Sequence, residues 1–113
     1  MHRMTMHRLV IPPGTLEMLI LRTLHTGPLH GYAIAKHIQN ISDNVLNVEE
    51  GSLYPALQRL LRKGLVTAKW VSAGSKRRAR VYQLTASGRK QFAIDVEEFT
   101  SLMHTILRLI QPA

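Results

Sequence analysis

No cysteine occurs in the 113 residues. A disulfide scaffold, a cysteine-based zinc site, an iron–sulfur cluster and a thiol nucleophile are therefore excluded. Aromatic residues are scarce, at 5%, which argues against a surface that stacks the unpaired bases of RNA. No apolar run approaches the roughly 18 residues of a membrane span, so no membrane partner is expected. The stretch 1–13 is positive, but Pro12-Pro13 follows only three apolar residues. That is too short for the apolar centre of a signal peptide, and a cytoplasmic location is expected. Acids are few as well. Seven Asp and Glu face fifteen Lys and Arg, a formal charge of +8. Such a balance favours a polyanionic partner. What is present is 45% hydrophobic residues, inside the globular range, in a chain of single-domain length. A domain of this size buries roughly two thirds of its unfolded surface.

The charge is unevenly placed. The acids are Glu17, Asp43, Glu49, Glu50, Asp95, Glu97 and Glu98, and none lies between Ser52 and Lys90. Ten of the fifteen basic residues lie in that window. A run of charge is often only a solvated face. Here it alternates with apolar positions, which places it on folded elements and points to a binding surface.

Along the chain, residues 1–10 show no period and are read as a flexible arm. Residues 11–84 are read as the nucleic-acid-binding domain and 85–113 as a dimerisation helix. Pro12-Pro13-Gly14-Thr15 marks a helix start with Thr15 as its cap. Leu16, Leu19, Ile20 and Leu24 recur at helical spacing until Gly27-Pro28. A second helix spans about His30 to Ser42, with Ile34, Ile38 and Ile41 as its stripe and Ala35 beside it. Val45, Leu46 and Val48 fit a loop or a brief strand.

In the third helix Ser52 is expected as the N-cap, with Pro55 in the first turn. Leu53, Leu57, Leu60 and Gly64 mark one face. Pro55, Gln58, Arg59 and Arg62 mark the other, so an apolar stripe is backed by a polar and basic one. Gln58 and Arg59 suit adenine and guanine edges respectively, and Gln58 reads equally well as a plain exposed residue. Arg62 and Lys63 suit phosphates. Tyr54 falls off the leucine stripe, which favours a phosphate or base contact over a core position.

A hairpin follows. Val66, Ala68 and Trp70 alternate with Thr67, Lys69 and Val71, and Val81, Tyr82 and Leu84 return. Trp70 is expected to pack under this wing. The connection carries Lys76, Arg77, Arg78 and Arg80, suited to the flanking backbone or the minor groove. Thr85 can cap the last helix. Phe92, Val96, Phe99, Met103, Ile106 and Ile110 are spaced 4, 3, 4, 3, 4, a seam read as a dimer contact that also meets the first helix.

Helix, helix, helix, hairpin and long helix is the order of a winged helix–turn–helix, a mainly α (α+β) fold with an appended dimerisation helix. Four segments carry a resemblance: Gly14-Thr-Leu-Glu-Met-Leu-Ile-Leu, Pro28-Leu-His-Gly-Tyr, Glu49-Glu-Gly-Ser-Leu-Tyr-Pro-Ala-Leu and Val81-Tyr-Gln-Leu-Thr-Ala-Ser-Gly-Arg. Over residues 14 to about 92 the chain resembles the PadR family of transcriptional regulators, in its short form with a single C-terminal helix. The resemblance implies a dimeric repressor on a palindromic operator of double-stranded DNA. Some members respond to phenolic acids or hydrophobic drugs, so a small hydrophobic effector is implied as a partner. It also implies DNA contacts at Ser52, Tyr54 and Pro55 with Arg59 behind them, and a wing matched by Arg80-x-Tyr82. Leu61 stands where many relatives carry Glu, which weakens any ion pair expected there.

Enzymatic motifs are missing. Gly51-Ser52-Leu53 lacks the Gly-x-Ser-x-Gly spacing, and no glycine-rich phosphate loop follows a strand. Six histidines occur, none paired at i, i+4, so neither a metal site nor a cofactor is expected. The competing reading is a non-specific architectural nucleic-acid-binding protein.

Overall fold

The computed structural model describes residues 9–12, 14–72, 74 and 77–112. Of the expected arm 1–10, only Leu9 and Val10 fall among them. Helix α1 spans Thr15–Thr23 and runs into a single 3-10 turn, Leu24–Thr26. A two-residue strand β1, Leu29–His30, leads into α2, Gly31–Ile41, and α3 spans Glu50–Arg62. Strands β2 (Val66–Ser72) and β3 (Arg78–Leu84) form the hairpin, and α4 covers Ala86–Ile110. The architecture is a winged helix with an added helix.

Three sequence expectations about helix starts and faces are corrected. Thr15 is the first residue of α1, not its cap; Gly14 precedes it at φ 85, a left-handed conformation that suits glycine. Ser52 is not the cap of α3. The extended backbone at Glu49 begins that helix, and Pro55 is its sixth residue rather than a first-turn one. The proline has no N–H, so the bond an N–H at 55 would make to the Gly51 carbonyl is missing. Ile41 is 72% exposed and leaves the α2 stripe that Ile34 and Ile38 continue into the core.

Helix ends follow the chemistry of their residues. Gly64 takes φ 73, its N–H donates to the Leu61 carbonyl, and Leu65 N–H donates to Leu60. Leu60 and Leu65 are buried, so the stop of α3 also fills the core. At the end of α2 the same turn is made by Asp43 and Asn44, both at positive φ. The Thr85 hydroxyl accepts from Gly88 N–H and donates to the Gly64 carbonyl, which caps α4 as expected.

The core joins Ile20, Leu21 and Leu24 to Ile34, Leu53, Leu57, Leu60 and Val66, all nearly inaccessible to solvent. The hairpin register pairs Val66 with Leu84 and Ala68 with Tyr82, closing the core from one side. The sequence reading had two strands. Among the described residues a third is present, because β1 pairs Leu29 with Tyr82 and His30 with Val81. This strand ties the start of α2 to the wing. The Val45–Val48 stretch is loop, with one bridge from Leu46 to Leu9.

Helix α4 has 25 residues, a length of ~38 Å. Gly88 is its one buried residue. Phe92, expected on the dimer seam, instead packs against the chain's own core, its ring 4.8 Å from that of His25. Past Phe92 the helix leaves the core and runs along the beginning of α1. Phe99, Leu102 and Met103 there face Pro12 and Met18 across a shallow groove. The expected contact with the first helix is therefore present, while Val96, Phe99, Ile106 and Ile110 keep at least a third of their surface exposed.

Candidate nucleic-acid interface

Successive residues of α3 turn by about 100°. Leu53, Ala56, Leu57 and Leu60 fill one side and are buried. The opposite side is exposed, and three positions divide it. Tyr54 and Gln58 border the wing. Arg62 and Pro55 occupy the middle. Ser52 and Arg59 border α1 and the segment 9–12, with which they line a second groove. Lys63, one turn further round, sits beside Gln91 and Asp95 of α4. The residues expected to touch nucleic acid on this helix are thus all on the surface, but Lys63 stands apart from the wing.

Arg59 has a partner that its sequence neighbourhood does not show. Its Nε donates to the carboxylate of Glu17 on α1. The basic stripe is therefore not free of countercharge, as the run from Ser52 to Lys90 suggested. Glu17 lies 42 positions away in sequence and is brought in by the packing of α1 on α3.

The wing supplies the other wall. On a strand pair, residues of alternate position share a face. Val66, Ala68, Trp70 and Ser72 lie opposite Leu84, Tyr82, Arg80 and Arg78 on one such face. At its base this face is core. Beyond Ala68 and Tyr82 no helix among the described residues covers it, and it becomes one wall of a groove of about 420 Å³ lined by His30, Tyr32, Tyr54, Gln58, Trp70, Arg80 and Tyr82. Trp70 does not pack under the wing as expected. It is 55% exposed on the open end of that face. Its ring carries Arg78 at 5.0 Å and Arg80 at 5.7 Å, measured from guanidinium carbon to ring centroid. Arg80 also lies 5.9 Å from the Tyr82 ring, and its buried Nε meets no acceptor among the described residues. Arg77 is exposed at the tip. Lys76 lies outside the described residues.

Tyr54 leans over Gly31, where a Cβ would meet its ring at 3.0 Å. Burial first, then Glu50 and Tyr82, push its hydroxyl above the ordinary value of 10.0, so it remains a protonated donor. Tyr32 and His30 had no binding role in the sequence reading, which gave Trp70 a packing role first. The Pro28-Leu-His-Gly-Tyr segment, quoted there for its resemblance alone, was the signal for the first two.

The groove offers an amide, a guanidinium, two exposed phenols and an indole, and no carboxylate. Its chemistry suits a chain of phosphates and sugars, and the Gln58 amide is of the type that pairs with a base edge. Among the described residues no three side chains of His, Asp or Glu gather as a metal site would require, and no helix is long and apolar enough to cross a membrane.

Comparison with known proteins agrees with this geometry. The family described as "Transcriptional regulator PadR-like family" matches residues 20–94, about two thirds of the chain. A protein of Lysinibacillus sphaericus is 32% identical over 95 residues, covering 82% of this chain and 85% of its own. The negative transcriptional regulator PadR of Bacillus subtilis is 29% identical over 76 residues, or 67% of this chain and 42% of that protein. This chain thus spans less than half of that regulator. Among solved structures, a transcriptional regulator from Clostridium thermocellum superposes with a TM-score of 0.79 at 26% identity, covering 85% of this chain and 93% of the other. Bacillus subtilis PadR in complex with operator DNA gives 0.68 at 27% identity, covering 75% of this chain and 48% of that one.

Proposed function

Because the chain belongs to the PadR-like family of transcriptional regulators, we propose that it represses transcription as a homodimer on a palindromic operator. The observation that carries this reading is the shared groove of α3 and the wing, lined by Tyr54, Gln58, Trp70 and Arg80 without a carboxylate. In the proposal α3 enters the major groove, where Gln58 reaches base edges and Arg62 meets phosphates. Ser52, Tyr54 and Pro55 meet the backbone along the first half of the helix. Lys76, Arg77, Arg78 and Arg80 follow the phosphates or the minor groove beside it. Arg59 stands at the α1-facing edge, and its remaining N–H groups reach a base or phosphate past Glu17. Lys63 contributes charge at a distance from the groove.

The dimer rests on α4. Val96, Phe99, Met103, Ile106 and Ile110 lie on one face at helical spacing, and a long amphipathic helix is rarely stable with such a face in water. Residues 11–84 then form the DNA-binding part and 85–113 the dimer arm, with Phe92 fixing one to the other. A small hydrophobic effector would bind the apolar surface between the paired arms.

The test is a gel-shift titration with duplexes selected from a random-sequence pool, followed by footprinting. The expected site is an inverted repeat with half-site centres ~34–36 Å apart. Affinity should fall steeply with salt. Equal affinity for every duplex would make the chain a non-specific architectural binder instead.

A further inference from the structure

The chain has one tryptophan and three tyrosines. All four line the groove between α3 and the wing. Tyr82 is buried there and serves the core, but Trp70 does not. The strands place it past the last helix-covered pair, Ala68 and Tyr82, so burial explains neither its size nor its position. What it touches is charge. Two guanidiniums, Arg78 and Arg80, lie within 6 Å of its ring centroid, and one of them stands directly opposite it across the strand pair.

We propose that Trp70 is a positioning residue of the DNA-binding face, holding Arg78 and Arg80 ready for one backbone strand laid in the groove. The proposal rests on the regulator reading above and adds a component to it. A guanidinium over an indole is held by the ring's negative face, while its terminal NH2 groups can still meet a phosphate. An arginine on a bare hairpin samples many rotamers, and each is lost on binding. One already stacked loses fewer. Two like charges near one ring repel each other, and no carboxylate lines the groove to offset them. The balancing charge must come from outside. A phosphodiester strand supplies it, and its sugars are apolar enough to lie against the neighbouring ring of Tyr54.

The test uses the full chain and a duplex selected by it from a random pool. Trp70→Ala should weaken binding about tenfold with the thermal midpoint little changed. The salt slope should stay as in the wild type, since no charge is removed. Trp70→Phe should recover most of the affinity, and Trp70→Leu, apolar but without a ring quadrupole, should not. In an Arg78→Ala, Arg80→Ala background the Trp70→Ala effect should vanish. As the sole tryptophan, Trp70 also reports directly, and its emission should change when the duplex binds. Wild-type-like binding by Trp70→Leu, or emission indifferent to bound duplex, overturns the proposal while leaving the regulator reading intact. A wild-type chain that binds no duplex overturns the regulator reading itself, and this inference with it.

Discussion

Gly88 in α4 crosses the Leu65 backbone so closely that a Cβ on it would stand 2.1 Å from the Leu65 carbonyl oxygen and 2.7 Å from a Leu84 methyl group. The glycine is therefore what allows α4 to leave the wing domain at its observed angle. Three features converge there: the stop of α3 at Gly64, the cap at Thr85 and the last core pair, Val66 and Leu84.

Gly88→Ala is expected to lower stability by about 3 kcal/mol or more, because the obstacle is backbone and cannot rotate away. In a domain of this size that lowers the melting temperature by roughly 10–20 °C. Gly31→Ala is the control. The three atoms nearest its added methyl all belong to the Tyr54 side chain, at 3.0 to 3.3 Å, and that side chain can shift by a few tenths of an ångström. Calorimetry on both variants checks the order. A Gly88→Ala chain as stable as the wild type would contradict the crossing.

The Tyr54 hydroxyl titrates above its ordinary value through burial, Glu50 and Tyr82. The folded state therefore holds this proton more tightly than the unfolded one. Its contribution to stability is complete below pH 10.0, the ordinary value, and is lost as pH rises through the raised value. DNA affinity near neutrality should then show no step from this group. Spectrophotometric titration of wild type against Tyr54→Phe isolates its transition. Glu50→Gln should move that transition down.

Much of this was legible from pattern alone, and most of the failures share a cause. Period two assigned Val66, Ala68 and Trp70 to one face correctly. It could not say how far along that face the helices reach, so Trp70 was read as packed when it overhangs. Period 3.5 gathered Phe92, Val96 and Phe99 on one side of α4. It could not say which of them the chain's own core would claim. Periodicity reports which residues share a face, and the cover is decided by the tertiary arrangement. Glu17 and Arg59 are the same problem in electrostatic form. Residue type misled at Ser52, where the backbone at Glu49 had already begun the helix, and β1 was too short to leave a period.

Glu17→Gln should strengthen DNA binding by roughly two- to fivefold at low salt, since it removes a negative charge next to the basic face and frees Arg59 Nε. The cost in stability should be about 1 kcal/mol, because the Arg59 end of the pair is 44% exposed and screened while Glu17, at 15%, is largely covered and keeps its shape as Gln. Arg59→Ala made in both backgrounds separates the contributions. If Arg59→Ala weakens binding equally with and without Glu17, the ion pair has no influence on recognition.

Gln58 and Arg77 should fail differently. Gln58→Ala removes a base-edge group and should narrow the gap between selected and scrambled duplexes by about 1–3 kcal/mol. Arg77→Ala removes a cation from the tip. It should weaken all duplexes alike and reduce the salt slope by about 1. Titrations at several salt concentrations, on both duplexes, distinguish the two. A uniform loss for Gln58→Ala would move it from the reading group to the backbone group.

Phe92 and Phe99 are one seam by spacing and two surfaces by structure. Phe92 packs on His25 and the core, so Phe92→Ala should open a cavity and cost about 2 kcal/mol, a half-buried share of the usual penalty. Its effect should appear in the melting temperature of each subunit. Phe99 is 37% exposed, as is Val96, with Ile106 at 36%. A charge there meets little of the chain's own core and would face its counterpart in a pair. Phe99→Glu should therefore leave helix content nearly intact and convert the chain to a monomer by light scattering. DNA binding should fall with it, because each half-site loses the effective concentration that linkage provides. A wild-type chain already monomeric at the concentrations where it binds DNA would contradict the pairing of α4. A Phe99→Glu chain that unfolds instead would show that this surface belongs to the monomer's core.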